Sequence, residues 1–271
     1  GKVFSLLMAV VMFTGSYYVA QANNMIGKIT GSNYKVDKMV VAVRADDSAE
    51  TIEDAADYTY GVQFEKGADN IQTAVADIEK QVGVDTIEVK EYDSVQDQAQ
   101  ALVDGDCDAI IYNSAYTSLM EEAVDGYSDK VKVLYTFNIR VELDFGNSTG
   151  ATDDSIIKEP FTVYISGIDV YGDVSETSRS DVNIIAVVNP QTHQILLVTT
   201  PRDYYVPIPG VSGGQRDKLT HAGIYGIDAS MKTLGELYET DINYYARLNF
   251  TSLIDIVDTL GGIDVYSEFA F

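Results

Sequence analysis

Residues 161–203 read FTVYISGIDVYGDVSETSRSDVNIIAVVNPQTHQILLVTTPRD, and the fold turns on how they are read. Three apolar runs, Phe161 to Ile168, Val182 to Val188 and Gln194 to Thr200, are rich in Val, Ile, Leu, Thr and Tyr. Each is bounded by Gly, Asp, Asn or Pro, the pattern of a strand. The runs are nearly continuous rather than alternating, which predicts strands covered on both faces by helices. Charges gather where the strands stop: Asp169 after the first, Arg179 and Asp181 before the second, Arg202 and Asp203 after the third.

The second and third runs form a hairpin around the turn-forming group Asn189-Pro190-Gln191-Thr192. With Pro190 and Gln191 as central residues, Arg179 faces Arg202 and Asp181 faces Thr200; a longer loop shifts this register by about one residue. A first strand antiparallel to the second puts Asp169 on the same sheet edge. Two arginines across from each other repel, an arrangement suited to holding an anion. Two carboxylates beside them suit a divalent cation bound with that anion. The competing reading is that these are solvated turn residues of the kind that flank strands in most proteins.

Working outward, the motifs are GIDVYG (Gly167 to Gly172), SRSDVNIIAVVNP (Ser178 to Pro190) and VTTPRDYYVPIPG (Val198 to Gly210). RDKLTHAGIYG (Arg216 to Gly226) and LNFTSLIDIVDTLGGIDV (Leu248 to Val265) follow. In this order they resemble the LytR-CpsA-Psr family of cell-envelope phosphotransferases, over less than half of the chain. The resemblance implies an α/β domain at 160–271 with a mixed sheet flanked by helices. It implies transfer of a glycopolymer, capsular polysaccharide or teichoic-acid-like, from a polyprenyl pyrophosphate carrier to peptidoglycan. Asp169 and Asp181 are carried over as ligands of Mg²⁺ (or Mn²⁺), and Arg179 and Arg202 as catalytic clamps on the pyrophosphate. Arginine suits that role because its planar fork binds phosphate oxygens bidentately and stays charged.

Arg216, Lys218 and His221 are further candidates for substrate binding. Lys218 either reaches a phosphate or is a surface charge; His221 is either a general base or a residue packing at a helix start. Tyr204, Tyr205, Ile224, Tyr225, Leu248 and Phe250 either line an apolar tunnel for the prenyl tail or belong to the core. Family members continue into a segment with further arginines and a glutamine, so sequence beyond Phe271 is expected. Sequence upstream of Gly1 is expected too.

The rest of this domain reads as a proline-stiffened segment to Gly210, a glycine-containing loop to Arg216, and a helix with Ile227, Met231, Leu234 and Tyr238 on one face. A strand at 243–250, a helix opened by Ser252 and stopped by Gly261, and a strand beginning at Ile263 follow.

The first residues are of another kind. From Val3 to Gly27 there is no charge, and such a helix is long enough for a roughly 30 Å hydrocarbon core. Residues 1–34 are therefore expected to anchor the chain in the cell membrane in a single pass, with the C-terminal domains extracellular in a Gram-positive-type envelope. A signal peptide cleaved near Ala20 to Ala22 is the alternative.

Residues 35–145 carry a βα pattern, expected to fold as a small accessory domain with helices on a sheet. Strands are expected at 39–44, 86–92, 108–112 and 130–140. Helices are expected from Asp69 or Asn70, from Ser94 and over 114–123. This part resembles one lobe of a periplasmic solute-binding protein, and the accessory domain of some capsule-associated family members. Residues 146–159, GNSTGATDDSIIKE, read as a linker.

The formal charge of −24 argues against a nucleic-acid partner, since phosphate backbones need a basic footprint. Six Lys or Arg stand against fourteen Asp or Glu in 161–271, and four of the six lie in or just after the motifs. One cysteine, Cys107, allows no internal disulfide framework, and two histidines with it do not make a familiar zinc site. The expected partners are the lipid-linked glycopolymer, peptidoglycan and the membrane. A second class of function is a non-catalytic membrane regulator of capsule or exopolysaccharide assembly.

Overall fold

The computed structural model describes residues 2–29, 34–64, 68–142 and 158–268. The chain divides into two compact units, 35–142 and the remainder. The N-terminal helix α1 spans Lys2–Ile29, and over residues 2–23 its largely apolar side chains are almost all exposed. Within it, Lys2–Asn23 is long and apolar enough to cross a membrane.

The 35–142 unit begins with β1 (Tyr34–Arg44) and continues through β2 (Thr59–Val62), α2 (Ala68–Val82), β3 (Glu88–Glu91), α3 (Val95–Asp104) and β4 (Ala109–Asn113). Short helices α4 (Thr117–Ala123) and α5 (Tyr127–Lys130) lead to β5 (Val131–Glu142). The strands order as β3-β2-β4-β1-β5. Alternation along β1 sends Met39, Val41 and Val43 to one face and Val40 and Ala42 to the other. The first set packs with Ile71, Ala74 and Ile78 of α2, the second with Ala99 and Leu102 of α3 and Met120 of α4. The central strands β1 and β4 are therefore buried on both faces, while the edge strand β3 is exposed. Ser94 caps α3, its hydroxyl accepting from the Asp97 N–H, as expected from its position. β2 was not expected; its four residues carry too short a pattern to separate from a loop.

In the other unit, β6 (Phe161–Gly167), β7 (Val182–Asn189) and β8 (Gln194–Thr200) form an antiparallel meander. A two-stranded ribbon follows, β9 (Tyr205–Pro207) against β10 (Arg216–Lys218). Then come α6 (Leu219–Ala222), α7 (Ile227–Tyr238), β11 (Tyr244–Leu248) and α8 (Phe250–Thr259). β11 lies parallel to β6, so the sheet is mixed, with order β11-β6-β7-β8. Its buried face carries Tyr164 and Ile185 against Val206, Leu219, Ile227 and Leu234.

Three expectations need correction. This sheet is not fully covered on both faces: burial alternates along β6, and Ile195, Leu196 and Leu197 of the edge strand β8 are exposed. The cap of α8 is Asn249, whose side chain accepts from the Ser252 N–H while Ser252 answers the Asn249 N–H, so the capping box starts one turn before Ser252. Residues 263–266 form no strand, because no neighbouring strand pairs with them among the described residues. The expected linker, 146–159, lies outside the described residues except for its last two positions.

Candidate functional site

The site is set by how β7 and β8 meet. The hairpin loop is Pro190 to His193, four residues, with Asn189 pairing Gln194. The Asn189 side chain accepts from the Gln191 and Thr192 N–H groups, and His193 takes a left-handed φ of 55°. Asn183 therefore pairs Thr200, two positions from the expected register. Extending that pairing places Asp181, not Arg179, opposite Arg202. The Arg202 Nη1 donates to Asp181 Oδ1 at 2.9 Å, and its Nε lies 3.8 Å from Asp203. The expected repulsive pair of arginines is replaced by an ion pair.

α6 packs its start against this corner. The Thr220 N–H donates to the Arg202 carbonyl at 2.9 Å, the Thr220 carbonyl accepts from Ser180 N–H at 3.2 Å, and the Thr220 hydroxyl donates to Asp181 Oδ1 at 3.3 Å. The Asp181 N–H in turn donates to Gly167 at the end of β6 at 2.8 Å. Gly223 makes this approach possible. A Cβ there would lie 2.6 Å from Ser180 N and 2.8 Å from the Ser178 carbonyl oxygen, contacts no side chain tolerates. The residues that carry Arg179 and Asp181 are thus fixed by backbone on both sides.

Below them lies a buried hydroxyl network. The Tyr164 OH donates to Asn183 at 2.6 Å and lies 2.8 Å from Ser180 Oγ, which is 2.7 Å from Ser166 Oγ. Burial pushes the Tyr164 phenol up from its ordinary value, so it stays a neutral donor.

The other candidates are distributed around this corner. Asp169 is exposed two residues past β6, at the same sheet end as Asp181, and Arg179 is half-buried. Neither of these two side chains has a polar partner among the described residues. Arg216 is exposed on β10 and donates to the Tyr205 carbonyl at 3.3 Å. Lys218, half-buried, ends the same strand and precedes α6. His221 is buried within α6, and its Nδ1 donates to Asp217 at 2.8 Å. Among the tunnel candidates, Ile224 is buried, whereas Tyr204, Tyr205 and Phe250 are exposed.

One basic residue at this end escaped the sequence reading. Arg247 in β11 is only 7 % exposed. It pairs in register with Ser166, so it shares the buried face with Tyr164 and Tyr245. Its Nη2 donates to the Ser178 carbonyl at 3.4 Å, its Nε is buried without a partner, and burial lowers its pKa. The signal was present as an arginine inside an apolar strand, in a domain with only six basic residues.

A family model described as the LytR_cpsA_psr family matches residues 115–271. The chain belongs to this family. A second model, the DNA polymerase processivity factor, matches residues 2–112, under half of the chain. The chain is 41 % identical over 116 residues to the polyisoprenyl-teichoic acid–peptidoglycan teichoic acid transferase TagU of Enterococcus faecalis, covering 42 % of this chain and 38 % of the relative. TagU of Bacillus subtilis is 37 % identical over 115 residues, covering 42 % and 36 %. The chain thus spans about two-fifths of the length of these curated relatives. Among solved structures, B. subtilis TagU is 37 % identical with a TM-score of 0.34, covering 42 % of this chain and 45 % of that one. The LytR-CPS2A-psr protein YwtF (TagT), solved with bound octaprenyl pyrophosphate lipid, is 33 % identical with a TM-score of 0.37, covering 45 % and 48 %.

As a member of this family, the chain can be asked whether its carboxylates fit a divalent cation. Asp181 commits Oδ1 to Arg202 and Thr220, while its Oδ2 makes no hydrogen bond among the described residues, and Asp169 is exposed. Among the described residues no group of three His, Cys, Asp or Glu side chains could hold a metal. Two carboxylates completed by phosphate oxygens are nonetheless the usual arrangement for Mg²⁺, which seldom occupies an all-protein cage. Asp169 and Asp181 have the oxygen donors such a cation takes and stand at the same sheet end.

Proposed function

We propose that this chain belongs to a membrane-anchored phosphotransferase that moves a glycopolymer, capsular polysaccharide or teichoic-acid-like, from a polyprenyl pyrophosphate carrier to peptidoglycan. The observation that carries the reading is the gathering of Arg179, Arg202, Asp169 and Asp181 at one sheet end, in a chain 41 % identical to TagU of Enterococcus faecalis over 116 residues. The helix α1 would hold the enzyme in the cell membrane, with the site outside the cell.

Breaking a pyrophosphate leaves negative charge on the bridging and equatorial oxygens, so catalysis is positioning and charge neutralisation. Arg202 is suited to this because Asp181 already fixes its guanidinium while half of the side chain stays exposed. Arg179 brings a second guanidinium on a backbone immobilised by Gly223. Asp169 and the second oxygen of Asp181 would hold a Mg²⁺ or Mn²⁺ ion, whose charge offsets that of the phosphates when bound.

The test is transfer of a labelled glycopolymer from its lipid pyrophosphate to peptidoglycan by the full-length protein. Arg202→Lys is expected to cut turnover roughly 10²–10³-fold, because a point charge does not replace the bidentate fork. Its melting temperature should hardly move. Absence of transfer by the unmodified protein, or normal turnover in the variant, would sink the reading.

A further inference from the structure

Arg247 is a charge the fold does not answer. A guanidinium carries five N–H donors and no acceptor. Among the described residues it makes one hydrogen bond, to a neutral carbonyl at 3.4 Å, longer than the usual range of such bonds. Its Nε is sealed from solvent without a partner. Glu176 contributes a long-range attraction, but no ion pair to Arg247 exists among the described residues. Taking a charge out of water costs more than one long bond to a neutral oxygen returns. Some further gain must therefore explain why an arginine stands inside β11.

We propose that Arg247 forms the floor of the anion site. Together with Arg179, the residue after Ser178, it binds a phosphoryl oxygen of the pyrophosphate from beneath the strand ends. This rests on the reading of that sheet end as a pyrophosphate site. Three features support it. The Nη2–Ser178 bond aims the guanidinium at the segment that carries Arg179 and Asp181. Its neighbours on the buried face of the sheet, Ser166 and Tyr164, with Ser180 bonded to both, supply hydroxyls, and Glu176, the acidic group that acts on its charge, makes no ion pair with it among the described residues. Arg179 also lacks a polar side-chain partner among the described residues, so two unanswered guanidinium groups flank one short backbone segment. Arg202, by contrast, is already paired with Asp181.

The rival explanation is that Arg247 merely anchors the Ser178 carbonyl. Two readouts on the full chain in detergent separate them: the melting temperature without anion, and calorimetric binding of inorganic pyrophosphate with Mg²⁺. If Arg247 is an anion ligand, Arg247→Met without pyrophosphate should melt at or above the wild-type temperature, since an unpaired buried charge is gone. Its affinity for pyrophosphate should fall about tenfold to a hundredfold, as expected for one charge-assisted bond. Arg247→Lys should fall in between.

Loss of stability in both variants without anion would assign Arg247 to loop anchoring and overturn the proposal. So would wild-type affinity in either variant, or a wild-type protein that does not bind pyrophosphate. The transferase reading fails separately: pyrophosphate binding through Arg247 without glycopolymer transfer removes the proposed activity and leaves this assignment standing.

Discussion

Two buried charges, one in each unit, are treated in opposite ways. Asp37 in β1 is fully buried, and its oxygens are met by Lys35 at 3.0 Å, Asn70 at 2.6 Å and Asn113 at 3.0 Å. Arg247 in β11 is nearly as buried and has one bond of 3.4 Å. The first charge ties the start of β1 to the end of β4 and the first turn of α2, so it belongs to the scaffold. The second is left for something that is not protein. The sheets around them differ in the same sense. The central strands of the 35–142 sheet are covered on both faces, whereas the sheet of 158–268 buries one face and gathers charges at one end.

The largest effect is expected at Asp37. Asp37→Ala leaves Lys35 and two amides without their acceptor, and breaking a buried pair costs about 3–5 kcal/mol. Urea unfolding of the full chain measures this, and Arg247→Met should show no such loss. Equal costs for the two would erase the distinction drawn between them.

Next come two glycines that permit close approach. Gly223→Ala would force a methyl group onto the backbone of Ser178 and Ser180, an overpacking of about 1–3 kcal/mol, and should weaken pyrophosphate binding by moving Arg179. Gly61→Ala in the other unit meets side-chain atoms of Tyr92, Cys107 and Ile110 at 2.9–3.1 Å. It should lower stability while leaving pyrophosphate affinity intact. Loss of affinity in Gly61→Ala, or its retention in Gly223→Ala, would break the assignment of the site to one unit.

The sequence showed the strands of this site more clearly than their pairing. Composition marked β6, β7 and β8 because Val, Ile and Thr are dense there and turn residues bound them. The register was missed because the loop is held by the Asn189 side chain and a histidine at positive φ, and neither announces a four-residue loop as a glycine would. That slip of two residues decided which group Arg202 meets. The ribbon of β9 and β10 is three residues deep, too short to show a period. Arg247 stayed hidden because burial of a charged residue is a tertiary fact: YYARL reads equally well with its arginine facing solvent.

The smallest effect is expected at the paired corner. Asp181→Ala removes an ion pair whose arginine is half-exposed, so stability should change by no more than about 1 kcal/mol. Mg²⁺-dependent pyrophosphate binding should nevertheless weaken, as a proposed ligand is lost. A variant with wild-type binding in Mg²⁺ would remove Asp181 from the cation site.

The most direct measurement is a crystal structure of the protein with Mg²⁺ and inorganic pyrophosphate. The account predicts a phosphoryl oxygen about 2.7–2.9 Å from a guanidinium nitrogen of Arg247, with Arg179 on the same phosphate and Arg202 still touching Asp181. Pyrophosphate held by Arg179 and Arg202 alone, with Arg247 remaining on the Ser178 carbonyl, would contradict it.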